Sequence, residues 1–284
     1  MGRVVLVHGI AQQTMGPETL VARWLPALRD GLALAGGSLS SGEVKMAFFG
    51  DIFRPSGTRN LGEPPLTAAD VTDPLDQELL LNWWAEAARV DPGVSGPAAT
   101  TRLRTPFVIQ RALDALSHSR FFADLADQLL VGALRQVRRY LTESDIRQRV
   151  RQRVLDTLTE DTRLVVAHSL GSVVAYEALH EVGTAYPQAL ITLGSPLGIR
   201  GMIFDRLTPA PQAGAGRWPA QLRTWTNIAD RGDVVALVKT LAPVFPGAIT
   251  DVSVHNGAKA HDVRPYLTAR ETGAAVRAAL DRLP

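Results

Sequence analysis

The chain has 284 residues, 46% of them hydrophobic and 20% charged, which is ordinary globular usage and favours neither a disordered nor a membrane class. A formal charge of +2 is too small to argue for a nucleic-acid partner, and the lack of cysteine excludes disulfides and thiol catalysis. No run of about 18 uninterrupted apolar residues marks a spanning helix, so no stable membrane insertion is expected.

The amino terminus enters a strand at once. Met1 to Gly9 leaves no room for a charged region, an apolar stretch and a cleavage site, so a cytoplasmic protein is the expectation. Val4-Val5-Leu6-Val7 is continuously apolar, as a central parallel strand covered on both faces should be. A helical pattern follows from Glu18 to Ala35, then a second strand pattern from Val44 to Phe49. Further strand patterns lie at Leu164 to Ala167, Leu190 to Leu193 and Leu222 to Ile228. The last, Ile249 to His255, alternates like an edge strand.

Further helical patterns lie at Ser144 to Leu158, Ser172 to Glu181 and, after the last strand, Pro265 to Leu283. In the first of them Ile146, Val150, Val154 and Leu158 recur at four-residue spacing, with Arg147, Arg149, Arg151 and Arg153 on the remaining surface and Thr142 with Asp145 as a candidate cap. Strands alternating with helices predict an α/β fold: a mostly parallel central sheet with helices on both faces.

Residues 54–143 break the alternation. A loop-like Arg54 to Asp73 leads into helical patterns at Pro74 to Val90, Pro106 to Ser117 and Phe121 to Leu141, with no convincing strand among them. The expected organisation is a core made of residues 1–53 and 144–284, interrupted by a helical cap over the carboxyl ends of the strands. Leu79, Leu80, Trp83, Trp84, Phe107, Phe121 and Phe122 give that insertion an apolar side, which either lines a substrate path or forms the insertion's own core. A Pro-, Ala- and Gly-rich loop spans Thr208 to Ala220.

The most informative segment is Ala167-His168-Ser169-Leu170-Gly171, where a buried strand passes directly into an apolar helix. A serine flanked by tiny residues at such a turn is a nucleophile elbow, which exposes one hydroxyl above the sheet edge. A serine hydroxyl needs a base within hydrogen-bond reach and an acid to fix the tautomer of that base. Both should come from loops after later strands, because those loops open on the same edge. Asp230 and Asp233 follow one strand, and His255 and His261 follow the next. Strand-end geometry permits either aspartate; loop placement before the last helix favours His261. Ser195, beside Pro196, lacks the strand-turn-helix context. His8 and His168 are expected to support the loops by hydrogen bonds, while His118 and His180 have duller roles.

With these motifs the chain resembles the α/β-hydrolase superfamily, and within it the lipase-like serine esterases. Four segments carry the resemblance: Val7-His8-Gly9 as the oxyanion loop, Ala167 to Gly171 as the elbow, Leu193-Gly194-Ser195-Pro196 as the strand end that follows, and Gly232-Asp233-Val234-Val235 as the acid loop. Ala167 stands where the family commonly has glycine. The resemblance implies a triad of Ser169, Asp233 and His261, with the acid preceding a Val-Val pair and a tyrosine, Tyr266, five residues beyond the histidine. It further implies an oxyanion hole made by the backbone N–H groups of Ile10 and Leu170.

The expected reaction is hydrolysis of a carboxylic ester, with a hydrophobic acyl substrate suggested by the apolar insertion. Acyl transfer or thioester cleavage by the same triad, and a silent fold used for binding, are the alternatives. Asp51, Trp83 and Trp84 are candidate substrate contacts, although Asp51 is also placed to pair with Arg54. No metal or cofactor is called for, since no metal-ligand spacing and no glycine-rich phosphate loop occurs. The expected partner is a small ester. The oligomeric state is left open.

Overall fold

The computed structural model describes residues 2–54, 66–97, 105–117, 119, 127–183 and 186–281. Its centre is a six-stranded, all-parallel sheet formed by β1 (Val4–Val7), β2 (Val44–Ala47), β3 (Leu164–His168), β4 (Ala189–Leu193), β5 (Thr224–Asp230) and β6 (Ile249–Val254). The spatial order is β2-β1-β3-β4-β5-β6, so β6 is an edge strand, as its alternating pattern predicts. Eight α-helices accompany the sheet among the described residues: α1 (Pro17–Leu34), α2 (Pro74–Val90), α3 (Pro106–Ser117), α4 (Asp127–Thr142), α5 (Ser144–Leu155), α6 (Leu170–Glu181), α7 (Val263–Thr268) and α8 (Arg270–Asp281).

Alternation along the strands sorts side chains into two cores. Val4, Leu6, Leu164 and Val166 face α1, α7 and α8, joining Leu20, Trp24, Leu28, Leu267 and Val276. Val5, Val7, Val165 and Ala167 face the other way, onto α5, α6 and the inserted helices. Every residue of β1 and β3 is buried, which is why these strands read as unbroken apolar runs. Each such Val, Leu or Ile contributes roughly 1.5–3 kcal/mol by leaving water.

The strand order also determines where a site can form. From β1 the chain moves outward to β2, then crosses back over β1 to β3 and continues in the opposite direction. The loops after β1 and β3 therefore leave to opposite faces and open a crevice at the carboxyl ends, the usual ligand position in open α/β sheets.

Several local expectations change. The arginines of α5 are not all surface groups: Arg147 and Arg151 turn inward to Glu177, which is fully buried on α6. Glu177 accepts from Arg147 Nε at 2.8 Å, from Tyr140 Oη on α4 at 2.6 Å and from the Thr208 amide at 3.0 Å. An anion at a helical position among apolar neighbours has no signature in spacing. Arg149 remains exposed. The N-cap of α5 is Glu143, and Thr142 Oγ1 donates instead to the Arg138 carbonyl at 2.9 Å.

The final helix is divided at Ala269, which is extended at φ −59 and ψ 134. Thr272 Oγ1 donates to the Tyr266 carbonyl at 2.6 Å, capping α7 with a side chain, so no Gly or Pro announces the break. The helical pattern at Phe121 to Leu141 appears as α4, beginning at Asp127; Phe121, Phe122 and His118 lie outside the described residues.

Candidate active site

Ser169 sits between the last residue of β3 and the first of α6, at φ 55 and ψ −133. A residue with a Cβ in this region costs on the order of 1–3 kcal/mol, and such outliers persist where the surrounding structure over-determines them. Two close approaches do so here. A Cβ on Gly171 would meet the His8 carbonyl oxygen at 2.3 Å, and one on Gly9 would meet Ser169 Cβ at 2.7 Å. Glycine at both positions lets the loop after β1 lie directly against the serine.

Ser169 Oγ is 3.0 Å from His261 Nε2, and His261 Nδ1 is 2.8 Å from Asp233 Oδ2. Burial alone would raise the Asp233 carboxyl, but His261, followed by Lys239 and Tyr266, holds it at about 2. An ionised Asp233 only accepts, so in the neutral ring Nδ1 carries the proton and Nε2 accepts from the serine hydroxyl. The geometry is thus a relay in which a proton leaving Oγ has an oriented acceptor.

Asp233 is held by four donors. Oδ1 accepts from the Val235 and Ala236 amides at 2.9 and 3.2 Å; Oδ2 accepts from His261 and, at 2.8 Å, from Tyr266 Oη. Tyr266 in turn accepts the Asp230 amide at 2.8 Å, and burial followed by the Asp233 charge raises its phenol well above the usual range. Gly194, at φ +54, closes the other side: a Cβ there would lie 2.6 Å from Asp233 Oδ2.

The two alternatives left open by spacing separate here. Asp230 accepts from the Gly232 amide at 2.6 Å and from the Asn256 amide, which ties its own turn to the loop after β6. His255 is 3.8 Å from Asp230 and its side chain is 89% exposed. The aspartate and histidine brought to Ser169 are Asp233 and His261. Ser195 serves its turn: it accepts from the Leu197 amide at 3.3 Å and lies 2.7 Å from Ser172 Oγ, which donates to the Ser169 carbonyl at 2.6 Å.

His8 and His168 brace the loops. The Phe49 amide donates to His8 Nε2 at 3.1 Å, so His8 Nδ1 is the donor to the Gly9 carbonyl at 2.7 Å. Burial lowers His8 to about 4, and burial with the nearby His261 lowers His168 to about 3, so both rings are neutral. Leu170 is the first residue of α6, and its amide is one of the four at a helix start without an intrahelical acceptor. Ile10 lies in the loop packed against the serine, between the His8-braced Gly9 and Ala11 at φ 62.

The three candidate substrate contacts are placed differently. Trp83 and Trp84 are 2% and 1% exposed inside the core of the inserted helices, and Trp84 Nε1 donates to the Ser95 carbonyl at 2.7 Å. Both indoles therefore serve packing and present no face to solvent. Asp51 accepts from Arg153 at 2.8 Å rather than from Arg54, whose guanidinium bonds the Gln13 and Met15 carbonyls. In the sequence Tyr266 is visible only as a spacing from His261, and Gly194 only as part of a motif; their closeness to the acid is a relation between distant segments that no local pattern displays.

The inserted helices touch the loops at this edge. Gln136 of α4 accepts the Ala11 amide at 3.0 Å, and Glu86 of α2 lies 3.8 Å from Lys239, whose Nζ donates to the Asp233 carbonyl. No protein-family model matches the chain, and no curated protein matches it. Among the described residues no helix is long and apolar enough to cross a membrane, and no group of three or more His, Asp or Glu side chains is placed to hold a metal ion.

Proposed function

We propose that the protein is a serine hydrolase of the α/β-hydrolase type that cleaves carboxylic esters through an acyl-enzyme on Ser169. The observation that carries this reading is the continuous relay from Ser169 Oγ through His261 to Asp233, at 3.0 and 2.8 Å. His261 takes the hydroxyl proton as Oγ bonds to the ester carbon, and the carbonyl oxygen becomes an oxyanion held by the Ile10 and Leu170 amides. Collapse of the tetrahedral adduct expels the alcohol, which takes its proton from His261. Water then attacks the acyl-enzyme, giving its proton to the same ring, and the acid leaves as Oγ is reprotonated.

The inserted helices are read as a cap that narrows access to the serine, which is only 2% exposed. A small ester with a hydrophobic acyl group is the substrate class proposed. The test is hydrolysis of p-nitrophenyl esters from acetyl to octanoyl. Activity abolished by Ser169→Ala and rising with chain length supports the reading; a flat series removes the acyl preference, and activity that survives Ser169→Ala removes the mechanism. Added alcohols or amines that divert the acyl group would redirect the reading to acyl transfer. A wild type inert to every ester and to a fluorophosphonate would point to a silent fold used for binding.

A further inference from the structure

The loop between β1 and α1 is gripped one peptide plane at a time. The Gly9 carbonyl accepts from His8 Nδ1 at 2.7 Å, and because the peptide is a rigid trans plane this also aims the Ile10 N–H on the opposite side. In the next plane the Ile10 carbonyl accepts from Gln12 Nε2 at 3.2 Å, while the Ala11 N–H donates to Gln136 Oε1 at 3.0 Å. Gln136 is 8% exposed and comes from α4, inside the inserted segment. Its orientation is unambiguous, since only the amide oxygen can accept from Ala11, and its Nε2 then donates to Gln13 Oε1 at 3.0 Å.

Ala11 stands at φ 62, a left-handed conformation that an alanine rarely adopts without outside support. The support comes from a residue 125 positions away in the chain. We infer that Gln136 is a positioning residue of the oxyanion site: by accepting a hydrogen bond from the Ala11 N–H it holds the turn that presents the Ile10 N–H to the Ser169 side of the loop. The inserted helix α4 is on this view a fixed part of the reaction machinery and does not detach as a lid. The bland account, that Gln136 only ties α4 to the core, predicts a loss of stability with turnover intact.

This inference rests on the esterase reading, and the experiment separates the two. Gln136→Met keeps the length and helix propensity but has no comparable acceptor. It is expected to lower kcat on p-nitrophenyl butyrate on the order of 10- to 100-fold with KM within about threefold, less than the loss of a whole oxyanion donor. Hydrogen exchange at the Ala11 amide is expected to quicken by at least about tenfold. Gln136→Ala should do the same and serves if methionine does not fit. Gln13→Met, which breaks only the outer bond, should keep kcat within about threefold.

An active wild type whose Gln136 variants keep kcat overturns the inference and leaves the esterase standing. A wild type without Ser169-dependent turnover overturns both. In the wild type itself, an Ala11 amide that exchanges as fast as an exposed one overturns the inference whatever the variants do.

Discussion

His168 Nε2 lies 3.0 Å from the main-chain oxygen of His261, and the two rings approach with centroids 4.8 Å apart. The residue just before the serine thereby holds the backbone of the imidazole that faces the serine hydroxyl. Trp24 meets the His168 ring edge-on at 6.1 Å, so a side chain of α1 completes the support.

Replacing His168 removes the bond and the ring contact together. His168→Ala is expected to lower kcat on the order of 10- to 100-fold through misplacement of His261, with KM changed far less. Steady-state kinetics on a p-nitrophenyl ester checks this, with circular dichroism to verify folding. Unaltered kcat would mean that His261 is positioned by Asp233 alone.

The two bracing histidines also make stability depend on pH. His8 and His168 titrate near 6.5 in the unfolded chain but at about 4 and about 3 in the folded one, chiefly because burial disfavours their charged forms. Below 6.5 the unfolded state binds more protons, so stability present above that pH is lost as pH falls, down to about 4 for His8 and about 3 for His168. Asp233, held at about 2 against an ordinary 3.8, adds a loss in the same direction only below 3.8. Between about pH 6 and pH 4.5 the pair contributes a slope of roughly 2–3 kcal/mol per pH unit. Urea unfolding at a series of pH values should show it, and His8→Asn or His168→Asn should each remove about half of this contribution. A stability flat across that range would contradict neutral buried rings.

Glu177 joins three helices through a buried charge. Burial works against the Arg147 cation, yet the bonds to Glu177 raise its pKa overall, and burial with Glu177 raises Tyr140. Glu177→Leu leaves the Arg147 guanidinium without its carboxylate and should cost about 3–5 kcal/mol, because breaking one side of a buried pair strands the other. Arg149→Ala, at an exposed position of the same helix, should change stability by less than about 0.5 kcal/mol. Denaturant unfolding of the two variants distinguishes them; equal effects would mean that the Glu177 cluster contributes nothing specific.

Much of this architecture was legible in the amino-acid sequence. Strand β3 was readable because both its faces are covered, so its apolar run is continuous; α1, α2, α3 and α6 were readable because each buries one stripe or, for α6, all sides. The candidate site was readable where chemistry is local: Ser169 at a strand-helix turn and His261 on the loop before the last helix, whereas strand-end position left Asp230 and Asp233 alike and only the resemblance pointed to Asp233. What stayed hidden depends on contacts between distant segments. Gln136 reaches Ala11, Tyr266 reaches Asp233 and Arg147 reaches Glu177 across gaps that only the sheet order closes. Trp83 and Trp84 were ambiguous for the opposite reason, since a buried indole and a substrate-facing one look alike in a helical pattern.

The most direct measurement is mass spectrometry of the intact protein and its peptides after exposure to a fluorophosphonate, which reacts with a serine only where a base activates the hydroxyl. The account predicts one stoichiometric adduct on Ser169, absent in Ser169→Ala and formed on the order of 1,000-fold more slowly or less in His261→Ala. No adduct on the wild type, or an adduct on Ser195 in its place, would contradict it.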